Sequence, residues 1–190
     1  MNRAAVCMLL ASALVLGCAP GPGQTDTGWG ALRNGDVVVF RHAEAPGIGD
    51  PPGMRLDDCS TQRNLDDTGR KQARRIGERF RERSIAVSTV LTSEWCRARD
   101  TATLAFPAIK ARVDSAFNSL FSDRSREPEQ SERARALLLA WRGPGVLVVT
   151  THQANISALT GVAPASGEGV VMRSRQGALA VVGTLPTDGQ

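Results

Sequence analysis

Val146-Leu147-Val148-Val149-Thr150-Thr151-His152 has a counterpart early in the chain, Asp36-Val37-Val38-Val39-Phe40-Arg41-His42. Each is a mostly apolar, β-branched run that ends at a histidine. Runs of this kind read as strands buried on both faces, the pattern of a parallel sheet covered by helices. Residues 86–92 (AVSTVLT) form a third run. Between the first and third, Ala73, Ile76, Gly77 and Phe80 fall on one helical stripe opposite Arg and Lys, with Asp66 as cap and Asp67 in the first turn. Ser93 is the expected cap of a helix running to about Leu104, and a short strand is expected over 109–113. Residues 115–130 read as irregular, and Pro128 as the start of a helix to Trp141. A helix from Gln153 to Thr160 closed by Gly161 and weaker strands near 169–173 and 178–184 complete the chain. Strands alternating with helices predict an α/β three-layer sandwich with a largely parallel central sheet.

Bulk properties bound the function loosely. The chain has 190 residues, 42% of them hydrophobic, enough for one domain with its own core. Its formal charge of +4 suits an anionic substrate or surface and is too mild to indicate nucleic acid.

The two histidines are the only ones in the chain, and both stand at the carboxyl end of a strand. Ligands of open α/β sheets bind beyond those ends. The third strand leads into Ser93-Glu94-Trp95-Cys96-Arg97, placing Arg97 in the first turn of a helix. Adjacent strand ends would therefore gather His42, His152, Arg41 and Arg97 at one sheet edge. Guanidinium forks match tetrahedral phosphoryl oxygens, and a helix N-terminus adds amide donors. A neutral imidazole can attack phosphorus, and nearby cations favour that neutral form.

These residues resemble a known family. Arg41-His42-Ala43-Glu44 is similar to the Arg-His-Gly-Glu signature of the histidine phosphatase (phosphoglycerate mutase-like) superfamily. Leu65-x-x-x-Gly69-x-x-Gln72-Ala73, Ser93-x-x-x-Arg97-Ala98-x-x-Thr101-Ala102 and the strand ending at His152 resemble its later motifs, in the same order. The resemblance implies a phosphatase with His42 as nucleophile, a phosphate pocket completed by Arg41, Arg97 and His152, and no metal or cofactor. It places the proton donor between the second Arg motif and the late His. Asp123 is the favoured residue there, with Glu44, Glu127 and Glu129 as the other candidates; from its place in the loop before the first helix, Arg63 is a candidate further substrate contact, with a surface charge as the alternative. Ala43 and Gln153 depart from the family's glycines, and Pro46-Gly47 replaces the mutase pattern, which points to the small phosphatase members.

The N-terminus reads separately. Arg3 precedes an apolar run from Ala4 to Leu16, too short to span a bilayer. Val15-Leu16-Gly17-Cys18 resembles a bacterial lipobox, which implies cleavage before Cys18 and a lipid on its thiol; an ordinary signal peptide is the alternative. The expected organisation is a signal over 1–17, a Gly/Pro-rich tether over 18–32 and the phosphatase domain over 33–190. Ala19 after the Cys favours the outer membrane, and the domain would face the periplasm, held to the membrane by its lipid alone. Export leaves Cys59 and Cys96 in an oxidising compartment, where one disulfide is expected and two free thiols are the alternative. The substrate would be a phosphorylated small molecule, with an envelope sugar phosphate favoured by location over protein phosphohistidine. A non-catalytic lipoprotein binding a phosphorylated ligand is the rival of a different class.

Overall fold

A computed structural model describes residues 27–186. The expected signal, the expected lipidation at Cys18 and the expected tether as far as residue 26 lie outside the described residues. Six strands form one sheet: β1 (Val37–Arg41), β2 (Val87–Thr92), β3 (Arg112–Val113), β4 (Val146–Thr151), β5 (Gly169–Arg175) and β6 (Ala178–Leu185). Their spatial order is β3-β2-β4-β1-β5-β6. The first four run parallel, while β5 lies antiparallel to β1 and to β6. The sheet is thus the largely parallel one expected, extended at one edge by a hairpin.

Alternation along β1 shows why the strand reads as continuously apolar. Val38 and Phe40 join a core with Ile76, Phe80 and Phe106. Val37 and Val39 face the other way, into a core with Phe117, Leu138 and Ile156. Both faces are dry because helices cover both. α2 (Asp67–Glu82) and α3 (Cys96–Ala105) supply the first cover; α4 (Glu127–Leu139) and α5 (Gln153–Thr160) supply the second.

The helix ends follow local chemistry, with one exception. The Asp66 carboxylate accepts from Gly69 N at 2.7 Å and so caps α2. Gly161 closes α5 in the left-handed conformation. Pro128 sits in the first turn of α4, where a missing N–H costs nothing. Ser93 does not cap α3: the helix starts at Cys96 after an uncapped Trp95, and the Ser93 hydroxyl instead meets His152 Nε2 and Trp95 N ahead of the helix. Gly77 allows α2 to lie against the end of α3, since a Cβ there would meet Ala105 O at 1.8 Å. Gly69 does the same for the chain following His42, where a Cβ would meet Glu44 O at 1.9 Å.

The tether does not extend through residue 32. Residues Thr27–Ala31 form a short helix, α1, packed on β6. Trp29 is buried in the first core, edge-on to Phe80 with ring centroids 5.0 Å apart. The guanidiniums of Arg79 and Arg83 stand 5.2 and 4.9 Å from its ring. A single aromatic among glycines gives no periodic signal, so composition favours a linker until the packing is seen.

Trp29→Ala should lower stability by about 3 kcal/mol, as for other buried aromatic truncations. Urea midpoints measure it, and a chain beginning at residue 33 should lose a comparable amount relative to one beginning at residue 27. Equal midpoints would show that α1 is not part of the folded unit.

Candidate active site

β4 lies between β1 and β2, so their three carboxyl ends are neighbours. Arg41 pairs with Thr151 across β1 and β4, and Thr92 with Thr150 across β2 and β4. The next residues continue this register. His42 N donates to Thr151 O at 2.8 Å, and Ser93 N to Thr150 O at 3.3 Å. His42 and His152 therefore meet edge to face, ring centroids 5.5 Å apart, with Trp95 against the far side of His152 at 5.4 Å.

The two imidazoles have distinct environments. His42 Nδ1 lies 2.8 Å from Ala43 O. A carbonyl only accepts, so Nδ1 carries the proton and Nε2 keeps its lone pair. Burial pushes the His42 pKa down to about 3; Arg97, Arg63 and Arg41 add to this against the Ala43 hydrogen bond. Burial also drives His152 well below the usual range, with His42 and the same arginines contributing. His152 Nε2 lies 2.9 Å from Ser93 Oγ. Its Nδ1 is buried with no hydrogen-bond partner among the described residues.

Three arginines surround the histidines. Arg97 is buried in the first turn of α3, and its terminal nitrogens hold the Asp50 carboxylate, NH1 to Oδ1 at 2.6 Å and NH2 to Oδ2 at 3.2 Å. Arg41 NH1 donates to Pro164 O at 3.2 Å. Arg63 Nε donates to Gly49 O at 2.7 Å, and its NH1 to Ala45 O. These bonds fix the loop over residues 43–64 against the strand ends. Cys59 and Cys96 are joined by a disulfide that ties the same loop to the first residue of α3. Cys96 N also donates to Gln62 Oε1 at 3.0 Å.

A cavity of about 360 Å³ opens over this arrangement, with Arg41, His42, Arg63, Arg97 and His152 in its wall. Ile48, 90% exposed, and Phe121, 60% exposed, stand at its rim. A larger apolar groove of about 700 Å³, between the ends of α2 and α3, contains neither histidine. The smaller cavity is the candidate site because it holds the convergent polar groups.

The expected acids are not brought there. Asp123 is exposed, and its carboxylate accepts from Ser125 N at 3.0 Å and Ser125 Oγ at 2.6 Å, capping a single helical turn. Local side-chain-to-backbone bonding has claimed it. Glu44 is half-buried beside Arg41 and Arg63 but does not line the cavity. Among the described residues, no carboxylate lines it. Sequence reasoning missed Asp50, the one acidic residue between Pro46 and Gly53. Burial works against its charge, but hydrogen bonds from Arg97 and Trp95 and the Arg97 charge hold its carboxyl below the usual range. Its only sequence signal is isolation in a Pro/Gly-rich loop.

Residues 37–123, just under half of the chain, match the model of the histidine phosphatase superfamily (branch 1). Over that stretch the chain is similar to that superfamily. The match supports a phosphatase, although it stops before His152. No curated protein matches it by sequence. Solved structures share its fold. The protein histidine phosphatase SixA complexed with tungstate is 15% identical with a TM-score of 0.61, covering 80% of this chain and 96% of that one. A mutant phosphoserine phosphatase from Entamoeba histolytica in complex with phosphoserine is 11% identical with a TM-score of 0.62, covering 80% and 98%. A mycobacterial glucosyl-3-phosphoglycerate phosphatase complexed with VO3 is 14% identical with a TM-score of 0.54, covering 82% and 98%. At these identities the likeness is one of fold.

Nitrogen-15 spectra should show His42 as the neutral, Nδ1-protonated tautomer at about pH 4.5, where an exposed imidazole is doubly protonated. The same group links pH to stability. Its ordinary pKa is 6.5 and its folded value about 3, so below 6.5 the unfolded chain takes up a proton that the folded chain refuses. Stability should fall as pH falls through that window, and His42→Asn should flatten the slope. A slope unchanged in His42→Asn would place the titration elsewhere.

Proposed function

We propose that this chain is a phosphomonoester hydrolase that works through a phosphohistidine on His42. The observation that carries the reading is the His42 ring itself: neutral, proton committed to Ala43 O, and Nε2 unprotonated in a wall shared with the guanidiniums of Arg41, Arg63 and Arg97. Nε2 attacks phosphorus while the bond to the leaving oxygen breaks, giving phosphohistidine and an alkoxide or phenolate that takes its proton from solvent water. Water then attacks the same phosphorus, the N–P bond breaks, and phosphate leaves with the ring neutral again. Arg41, Arg97 and Arg63 hold the phosphoryl oxygens and offset the charge on the transferring group. His152 Nδ1 and Arg97 Nε, both buried without protein partners among the described residues, would find theirs in that group.

The reading extends to location. The lipobox-like run ending at Cys18 supports export and lipid anchoring on the periplasmic side of the envelope, and the Cys59–Cys96 disulfide fits an oxidising compartment. Among the described residues no helix is long and apolar enough to cross a membrane. An envelope sugar phosphate is the substrate class that this location favours. The rival reading, a phosphate-binding protein without turnover, draws on the lack of a carboxylate in the cavity wall.

Purified protein should hydrolyse an aryl phosphate, whose phenolate leaves without a strong acid. His42→Ala should cut this at least about a thousandfold, the scale of removing a nucleophile. Acid-labile, base-stable label retained on the wild type after quenching would identify the intermediate. Binding of phosphate with no turnover across a panel of phosphoesters would favour the rival. For the anchor, labelled fatty acid should enter the full-length chain in cells and be lost in Cys18→Ser.

A further inference from the structure

An arginine offers two forks: an end-on pair, NH1 with NH2, and a side-on pair, Nε with NH2. In Arg97 the end-on pair is taken by Asp50, at 2.6 and 3.2 Å, and NH1 also donates to Arg63 O at 3.3 Å. Nε is buried and has no partner among the described residues. The side chain nevertheless forms part of the cavity wall with His42 and His152. We infer that Asp50 is the positioning residue of the phosphate site: it clamps the end-on fork of Arg97 so that the side-on fork faces the phosphoryl group.

The surroundings of Asp50 fit a clamp. Its carboxylate takes four protein hydrogen bonds, two from Arg97, one from Trp95 Nε1 at 2.9 Å and one from Arg63 N at 3.2 Å. A carboxylate held so fully does not swing or donate a proton. The donors come from different segments around the cavity: Arg97 from the first turn of α3, Trp95 from the residue packed on His152, and Arg63 from the loop that lines the cavity. Asp50 thereby couples the orientation of the second arginine to the loop after the nucleophile. It also offsets a guanidinium that is almost wholly buried, where an uncompensated charge would be costly. The Arg97 Nε–H is left as the donor without a protein partner among the described residues.

This inference rests on the phosphatase reading for the identity of the anion, and the two fail differently. The probes are inorganic phosphate and orthovanadate, with binding followed by calorimetry and by inhibition of aryl phosphate turnover. Asp50→Ala should weaken both at least about tenfold, the scale of one charge-assisted hydrogen bond lost through misplacement of its donor. Asp50→Asn, which keeps an acceptor of the same shape, should recover part of the loss and guards against a folding defect in the alanine variant; melting curves check both. On an Arg97→Ala background, Asp50→Ala should change phosphate affinity less than about twofold, because coupled residues are not additive. Asp57→Asn, an exposed acid in the same loop, should leave affinity unchanged. If Asp50→Ala leaves phosphate affinity unchanged, or tightens it because the carboxylate competes for the fork, the inference is overturned while the phosphatase reading stands. An equal loss on the Arg97→Ala background would also overturn it, showing that Asp50 acts on the pocket without Arg97. Wild-type protein that binds neither anion would overturn both.

Discussion

The wedging of β4 between β1 and β2 is the constraint on which the site depends. Parallel neighbours deliver their carboxyl ends to the same edge, and the register pairs Arg41 with Thr151 and Thr92 with Thr150. His42 and Ser93 then bond to the backbone of β4 as though the sheet ran one residue further. Nothing else needs to bring residues 42, 93 and 152 together. A slip of one residue in β4 would turn its whole alternation over, putting Val148 where Val149 belongs and breaking both cores at once. The geometry of the histidines is therefore protected by the packing of valines several residues away.

Holding three arginines near two histidines is electrostatically expensive, and the chain offsets the cost in two ways. The histidines stay neutral, so burial and the neighbouring cations act in the same direction on each ring. The arginines are spent partly on the protein: Asp50, and the carbonyls of Ala45, Gly49 and Pro164, take donors that would otherwise face one another. The loop over residues 43–64 supplies most of these acceptors. The disulfide from Cys59 to Cys96 then makes that loop part of the α3 helix start rather than a mobile flap. Fold and site share this segment: Gly69 admits the loop against α2, and Gln72 bonds Glu44 N at 2.9 Å and Ser166 O at 3.0 Å from the other side.

How much of this the sequence shows depends on whether a residue's partner is local. The strands, α2 and the gathering of both histidines with Arg41 and Arg97 are legible, because apolar runs and their ends carry a periodic signal. The Cys pair is legible by elimination. Trp29 is not, since its partner Phe80 lies across the sheet's covering layer and its neighbours read as linker. Asp123 misleads because an acid in irregular chain looks free, whereas it caps its own turn through Ser125. Asp50 stays hidden for the opposite reason: it lies in a stretch whose glycines and prolines say only that the chain turns, and its value comes from Arg97, 47 residues on.

The departures from the family pattern can be understood in the same terms. Glycine after the nucleophile would be required if the backbone were left-handed there, but Ala43 is absent from the positive-φ residues, and its methyl is fully buried with Ala45, Leu65 and Ala73. Its N–H donates to Thr101 Oγ1 at 3.0 Å, so the residue after His42 is held by α3 rather than by conformational freedom. Gln153 replaces the other glycine at the start of α5. Its Nε2 donates to Pro164 O at 3.1 Å, the same carbonyl that Arg41 uses, which draws the amide aside along the cavity wall. Ala43 does not line the cavity, and Gln153 lies in its wall. Gln153 thus adds an amide beside Arg41 in the cavity wall that a glycine would not provide.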